Sequence, residues 1–131
     1  MNLDEKKALS SVRYEHAKEC LTAAQKLIEQ NCYKDVTNRS YYAIFHAMRS
    51  VLVFDRIDMK HHSGIISEFR SRYIKSEIFD VKMSEIISLL FDARTDSDYD
   101  DFYVVSKSEA QQQVENAEAF LQAVDSYLKT L

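Results

Sequence analysis

The sequence predicts an all-α protein, an up-and-down bundle of four longer helices and one short helix. Three observations carry that expectation. The 131 residues include no proline and a single glycine, Gly64, so a sheet with tight hairpins lacks its turn residues. In every long segment the apolar residues recur at three- and four-residue steps, the period of a helix rather than of a strand. The breaks between segments carry helix stop and start residues, namely Asn31, Ser63, Asp80 and Ser106.

The first helix is expected from about residue 4 to residue 30, with Ala17, Cys20, Leu21, Ala24, Leu27 and Ile28 on its buried stripe. Asn31 suits a left-handed stop. A second helix begins between Tyr33 and Asp35 and runs to about Phe54, burying Tyr41, Ile44, Phe45, Met48, Val51 and Leu52. Residues 55–62 are polar enough for a loop. Ser63 caps a short third helix to about Ile74, which buries Ile65, Ile66 and Phe69. Asp80 caps a fourth, whose buried face is Val81, Ile86, Ile87, Leu89, Leu90 and Ala93. Residues 94–105 are expected to be irregular. Ser106-Lys107-Ser108-Glu109 then has capping-box spacing for a last helix through Leu128, with Ala110, Val114, Ala117, Phe120, Leu121, Val124 and Leu128 facing the core. With no internal repeat or linker, residues 1–131 are expected to form one domain around one core.

A net charge of −4 argues against a broad basic surface for duplex nucleic acid, so any RNA contact should be small or strongly oriented. Two cysteines, Cys20 and Cys32, are too few for a disulfide framework or a zinc site, and Cys20 falls on the apolar stripe of the first helix. Apolar runs are far shorter than the roughly 20 residues a membrane span requires, and the chain opens on charged residues. A cytoplasmic protein without membrane contact, metal or cofactor is the expectation.

The segment Asn38-Arg39-Ser40-Tyr41-Tyr42-Ala43-Ile44-Phe45-His46-Ala47-Met48-Arg49 carries the chemistry. Seven helical residues fall about 20° short of two turns, so Arg39 and His46 stack about 10.5 Å apart on one face, opposite the apolar stripe and facing away from the core. An arginine binds a phosphate bidentately, and a histidine exchanges protons near neutral pH. Together they can reach the same phosphate. Tyr42 and Arg49 flank the stripe and suit base stacking and a second phosphate contact. The same pair also suits a structural role, paired with carboxylates of a neighbouring helix, and Tyr41 and Tyr42 suit partly buried packing with the hydroxyl at the rim.

Other candidates are weaker on residue type alone. Aspartates 92, 96, 98, 100 and 101 fail the calcium-loop template, since a loop starting at Asp96 has Asp101 at the glycine position and Lys107 at the final glutamate. They read as a solvated helix end, in which Arg94 can be held by carboxylates; lying beside the Arg39/His46 face, they would repel RNA. His61 and His62 are adjacent and cannot both face one metal from a helix, so a loop-surface role is expected, with His62 the better candidate for ordering the third helix. His16 carries no motif.

Taken together, Tyr33 through Leu52 with its Arg39-to-Ala47 core, His62-Ser63-Gly64 before Phe69, and Arg94 followed by Asp98-Tyr99 resemble the small stand-alone bacterial and archaeal HEPN proteins (higher eukaryotes and prokaryotes nucleotide-binding). The resemblance covers nearly the whole chain, in order. It implies a HEPN-like bundle that dimerises, a nucleotidyltransferase partner protein encoded alongside, and a role in toxin–antitoxin or phage-defence pairs, where some members are metal-independent RNases. In those RNases an Arg, a short spacer and a His form the active motif, repeated across a dimer; Arg39 and His46 satisfy it. In the RNases the motif usually lies later in the chain, near Arg94-Thr95-Asp96-Ser97-Asp98-Tyr99, where this sequence has no histidine. A catalytically silent protein- or nucleotide-binding module is the alternative the resemblance leaves open.

Overall fold

The computed structural model describes residues 1–57 and 61–131. They form α1 (Leu3–Glu29), α2 (Tyr33–Leu52), a 3-10 turn (Val53–Asp55), α3 (His62–Phe69) continued by a π-helical turn (Arg70–Ile74), α4 (Val81–Tyr99) and α5 (Lys107–Leu128). Among the described residues there is no strand, and the architecture is the expected all-α up-and-down bundle of four longer helices and one short one. No helix of these residues is long and apolar enough to cross a membrane.

Local signals set the helix ends. Asn31 adopts φ 60°, and the Cys32 amide donates to the Leu27 carbonyl at 3.0 Å, closing α1 with the six-to-one bond of a left-handed cap. Asp80 caps α4 by accepting the Lys82 amide at 2.8 Å. Ser106 accepts the Glu109 amide at 3.0 Å and donates to Glu109 Oε1, most of a capping box. Ser63 does not cap α3: the helix begins two residues earlier than such a cap implies, its N-cap is His61, and no side chain accepts there. Of the expected loop at 55–62, Asp55 belongs to the 3-10 turn and Arg56 is left-handed at φ 59°, while residues 58–60 lie outside the described residues.

α2 is the central element, touching α1, α3, α4 and α5. Its expected stripe is buried throughout, yet twelve of its twenty residues are buried in all. The extra ones include Ser40, Ala43, Ala47 and Ser50, which lie within about 100° of the Arg39/His46 line on the helix. Side chains this small let a neighbouring helix approach closely, and α1 packs there with Ala17 and Ala24 wholly buried. Ser10 Oγ donates to the Ser50 carbonyl at 2.7 Å across this seam. The expectation that the Arg39/His46 face points away from the core is thereby overturned.

α4 corrects two further expectations. It does not stop near Arg94 but runs to Tyr99, because Arg94 reaches back to α2 and Ser97 is buried, contacts that outweigh the unfavourable aspartates of the last turn. Its buried stripe is Met83, Ile86, Ile87, Leu90 and Ser97; Val81 and Leu89 are 65% and 60% exposed. Leu89 follows Ile87 by two residues, about 200° round the helix, so the two cannot share a face. α5 buries Ala110, Val114, Ala117, Phe120, Leu121 and Val124 as expected, with Leu128 half-buried. Phe120 joins Phe69, Phe79 and Tyr73 in an aromatic cluster under α3.

Candidate cationic site on the central helix

The polar line of α2 holds Arg39, Tyr42, His46 and Arg49 at steps of three and four, so one helix face presents them in a row. Packing of α1 against the adjacent small residues brings His16 to His46, with ring centroids 5.8 Å apart. Arg13, buried on α1, donates from Nη1 to the Arg49 carbonyl at 3.3 Å. His46 thus sits half-buried in the α1–α2 seam. Its Nδ1 is buried and has no hydrogen-bond partner among the described residues. Burial, and then the positive charge of Arg49, His16, Arg39 and Arg13, push its pKa from 6.5 down to about 4. Several cations therefore converge on one neutral imidazole, in a chain whose net charge is negative.

Tyr42 joins this row to α4. The Arg39 guanidinium lies 5.2 Å from the Tyr42 ring centroid and that of Arg94 lies 5.5 Å from it. Arg94 Nη2 donates to the Tyr42 hydroxyl at 3.3 Å, and Arg94 Nε lies 3.0 Å from Asp98 Oδ2, an ion pair without hydrogen-bond alignment. The His46 ring stands 6.2 Å from that of Tyr42. Arg39 is steadied by neutral groups: Nη2 and Nε donate to Asn38 Oδ1 at 2.6 and 3.1 Å, and Nη1 reaches Cys20 Sγ at 3.9 Å. Burial pushes the Cys20 thiol pKa up, against the opposing pull of Arg39.

Behind Tyr42 lies an aromatic wall. His62 is the first residue of α3, and its ring stacks on Phe45 at 4.2 Å and on Tyr41 at 5.7 Å. Burial, then Arg94, lower its pKa, and its Nδ1 shares a hydrogen bond with the Tyr41 hydroxyl at 2.9 Å. Burial holds that hydroxyl protonated, its pKa pushed up to about 12. His62 thus packs at the start of α3 against Phe45 and Tyr41 rather than standing on a loop surface. His61 is exposed.

Of the residues singled out in the sequence, Arg39, Tyr42, His46, Arg49, His62, Arg94 and Asp98 meet in one continuous region. Tyr99 does not: it is 84% exposed at the end of α4. The sequence reading missed Arg13 and His16. Their signal was their position, three residues apart on the border of the α1 stripe beside Ala17. No three His, Cys, Asp or Glu side chains among the described residues are grouped to hold a metal ion. What the arrangement offers is phosphate binding by guanidinium groups beside a neutral imidazole that can accept a proton.

Known proteins resemble this chain along most of its length. A protein of Methanocaldococcus jannaschii named "Putative toxin" is 30% identical over 114 residues, which cover 87% of this chain and 78% of that protein. A second protein of that organism with the same designation is 30% identical over 117 residues, covering 89% and 87%. A "UPF0332 protein" of Thermotoga maritima is 23% identical over 129 residues, 98% of both chains. The family model described as HEPN domain matches residues 10–127, and the chain belongs to that family.

Proposed function

We propose that this chain, one HEPN-like domain across residues 1–131, is the toxin member of a two-component pair with a nucleotidyltransferase partner, and that it cleaves RNA as a homodimer without a metal ion. The carrying observation is that Arg13, Arg39 and Arg49 all act on His46, beside the His16 ring, in a chain of net negative charge. Such a local concentration of cations suits a phosphodiester, and the relatives named "Putative toxin" support the toxin role. Asp98 lies close by, but Arg94 offsets its charge.

In this reading Arg39 holds the scissile phosphate and His46, neutral at pH 7, takes the proton of the 2′-hydroxyl. The 2′-oxygen bonds to phosphorus and the bond to the 5′-oxygen breaks, leaving a 2′,3′-cyclic phosphate. The departing 5′-oxygen takes a proton from His46 of the partner subunit. A bound phosphate offsets the part of the depression that the cations add to burial, and so moves His46 toward the charged form that the acid role needs. Tyr42 and Arg49 serve as stacking and phosphate contacts beside the cleaved bond.

A specific observation favours the second reading, a catalytically silent binding module. With a pKa of about 4, free His46 is almost never protonated at pH 7 and cannot supply an acid. One experiment separates the two: incubate a mixed RNA pool with wild type, Arg39→Ala and His46→Ala in a chelator, and assay both binding and cyclic-phosphate ends. Cleavage by wild type alone supports the nuclease. Binding that Arg39→Ala weakens, without cleavage by any protein, supports the silent module, and neither binding nor cleavage sinks both. Sedimentation finding only monomer at micromolar concentration would remove the dimer, and a gene with no nucleotidyltransferase neighbour would remove the main support for the pair.

A further inference from the structure

Beside Phe91, residues of α3, its π-helical turn and α4 line an open cleft of about 530 Å³, within the size range of small-ligand sites. The π turn is fixed by the Lys75 amide, which donates to the Arg70 carbonyl five residues back at 3.0 Å. Such turns recur at functional sites because the widened helix costs stability that packing alone does not repay.

Arg70 is the centre of the cavity's chemistry. Nε donates to Ser84 Oγ at 2.9 Å, and Nη2 donates to the Ser84 carbonyl at 3.1 Å and to Ser88 Oγ at 2.7 Å. Every one of these acceptors is neutral. Among the described residues Nη1 donates no hydrogen bond, and no carboxylate forms an ion pair with Arg70 or with Lys75, the second cation of the lining. A half-buried guanidinium clamped by hydroxyls rather than by an acid keeps its full charge available to a ligand. Ser63 and Ser67 of α3 and Ser71 of the π turn, spaced at four-residue steps, also line the cavity. Ile66, Ile87 and Phe91 give it an apolar wall, and one carboxylate, Asp92, stands among the lining residues.

We propose that this cavity binds a small phosphomonoester bearing an aromatic or apolar group. Two cations and three uncommitted hydroxyls present more donors than the two oxygens of a carboxylate can accept, whereas the three terminal oxygens of a phosphomonoester match them. The apolar wall then takes the organic portion, and Asp92 disfavours a second anionic group on it.

The test titrates the purified chain with phenyl phosphate, inorganic phosphate and benzoate by calorimetry, using wild type, Arg70→Gln, Ser67→Glu and Arg39→Ala. Ser67 is exposed, so glutamate there places a negative charge at the cavity without removing a core contact. Phenyl phosphate should bind more tightly than inorganic phosphate, and benzoate weakest. Arg70→Gln and Ser67→Glu should each weaken phenyl phosphate by about tenfold or more, the effect of losing or opposing a charged hydrogen bond, while Arg39→Ala, which alters only the α2 row, leaves the Arg70-dependent binding in place. No saturable binding of phenyl phosphate, equal affinity in the Ser67→Glu protein, or loss in Arg39→Ala alone would overturn the assignment. The last result would move the phosphate to the α2 row.

Discussion

His46 ties the stability of this protein to pH, and His46→Gln reveals by how much. In the folded chain its pKa is about 4, below the 6.5 of an ordinary histidine. Between those values the unfolded chain binds a proton that the native chain refuses. Stability is therefore complete above pH 6.5 and falls as pH drops toward 4. At about pH 5 the full shift corresponds to about 2 kcal/mol. His46 is only half-buried and its cations are partly screened by solvent, so we halve this to about 1 kcal/mol. Urea unfolding near pH 7.5 and about pH 5 should show wild type losing about 1 kcal/mol more than His46→Gln over the same interval. Most carboxylates stay ionised in that range, so the double difference isolates His46. Equal pH responses in the two proteins would refute the reasoning. So would a ring titration of His46 by NMR with its midpoint above about 6, because neither burial nor the cations of the α1–α2 seam would then be depressing it.

Other consequences are simpler to check. Phe120 is wholly buried between Phe69 and the rest of the core, and Phe120→Ala should lower unfolding free energy by about 3–5 kcal/mol in urea. Ser106→Ala removes the acceptor for the Glu109 amide and should cost about 1 kcal/mol in the same assay. Arg94→Gln removes one of the two causes that depress His62, so the NMR midpoint of His62 should rise while that of His46, which Arg94 does not govern, stays in place.

The helices were legible where the chain speaks locally. Asn31, Asp80 and Ser106 mark ends that depend on one residue's backbone or one side-chain acceptor, and all three behave accordingly. The apolar stripe of α2 was equally clear. What the sequence concealed depends on neighbours. Ala43, Ala47, Ser40 and Ser50 carry little hydrophobic signal, yet their smallness draws α1 over the face that seemed open. α4 hid its length because aspartate is a poor last-turn residue, and its persistence rests on the reach of Arg94 to Tyr42 and the burial of Ser97. At the site, Arg39, Tyr42 and His46 were readable from spacing along one helix. Arg13 and His16 were not, because their relation to His46 exists only across the seam.

The tight turn at Asn31 also bears on how the chain folds. It joins α1 and α2 with almost no intervening loop, so their seam forms at a small entropic cost of closure. α5 is different: the Tyr14 hydroxyl donates to the Leu121 carbonyl at 3.1 Å across 107 residues of chain. Short-range contacts of this kind organise early and distant ones late. The α1–α2 hairpin is therefore expected as the nucleus, with Ala47→Gly chiefly slowing refolding and Leu121→Ala chiefly speeding unfolding in stopped-flow measurements. On this account the seam that builds the cationic row exists before the bundle closes around it.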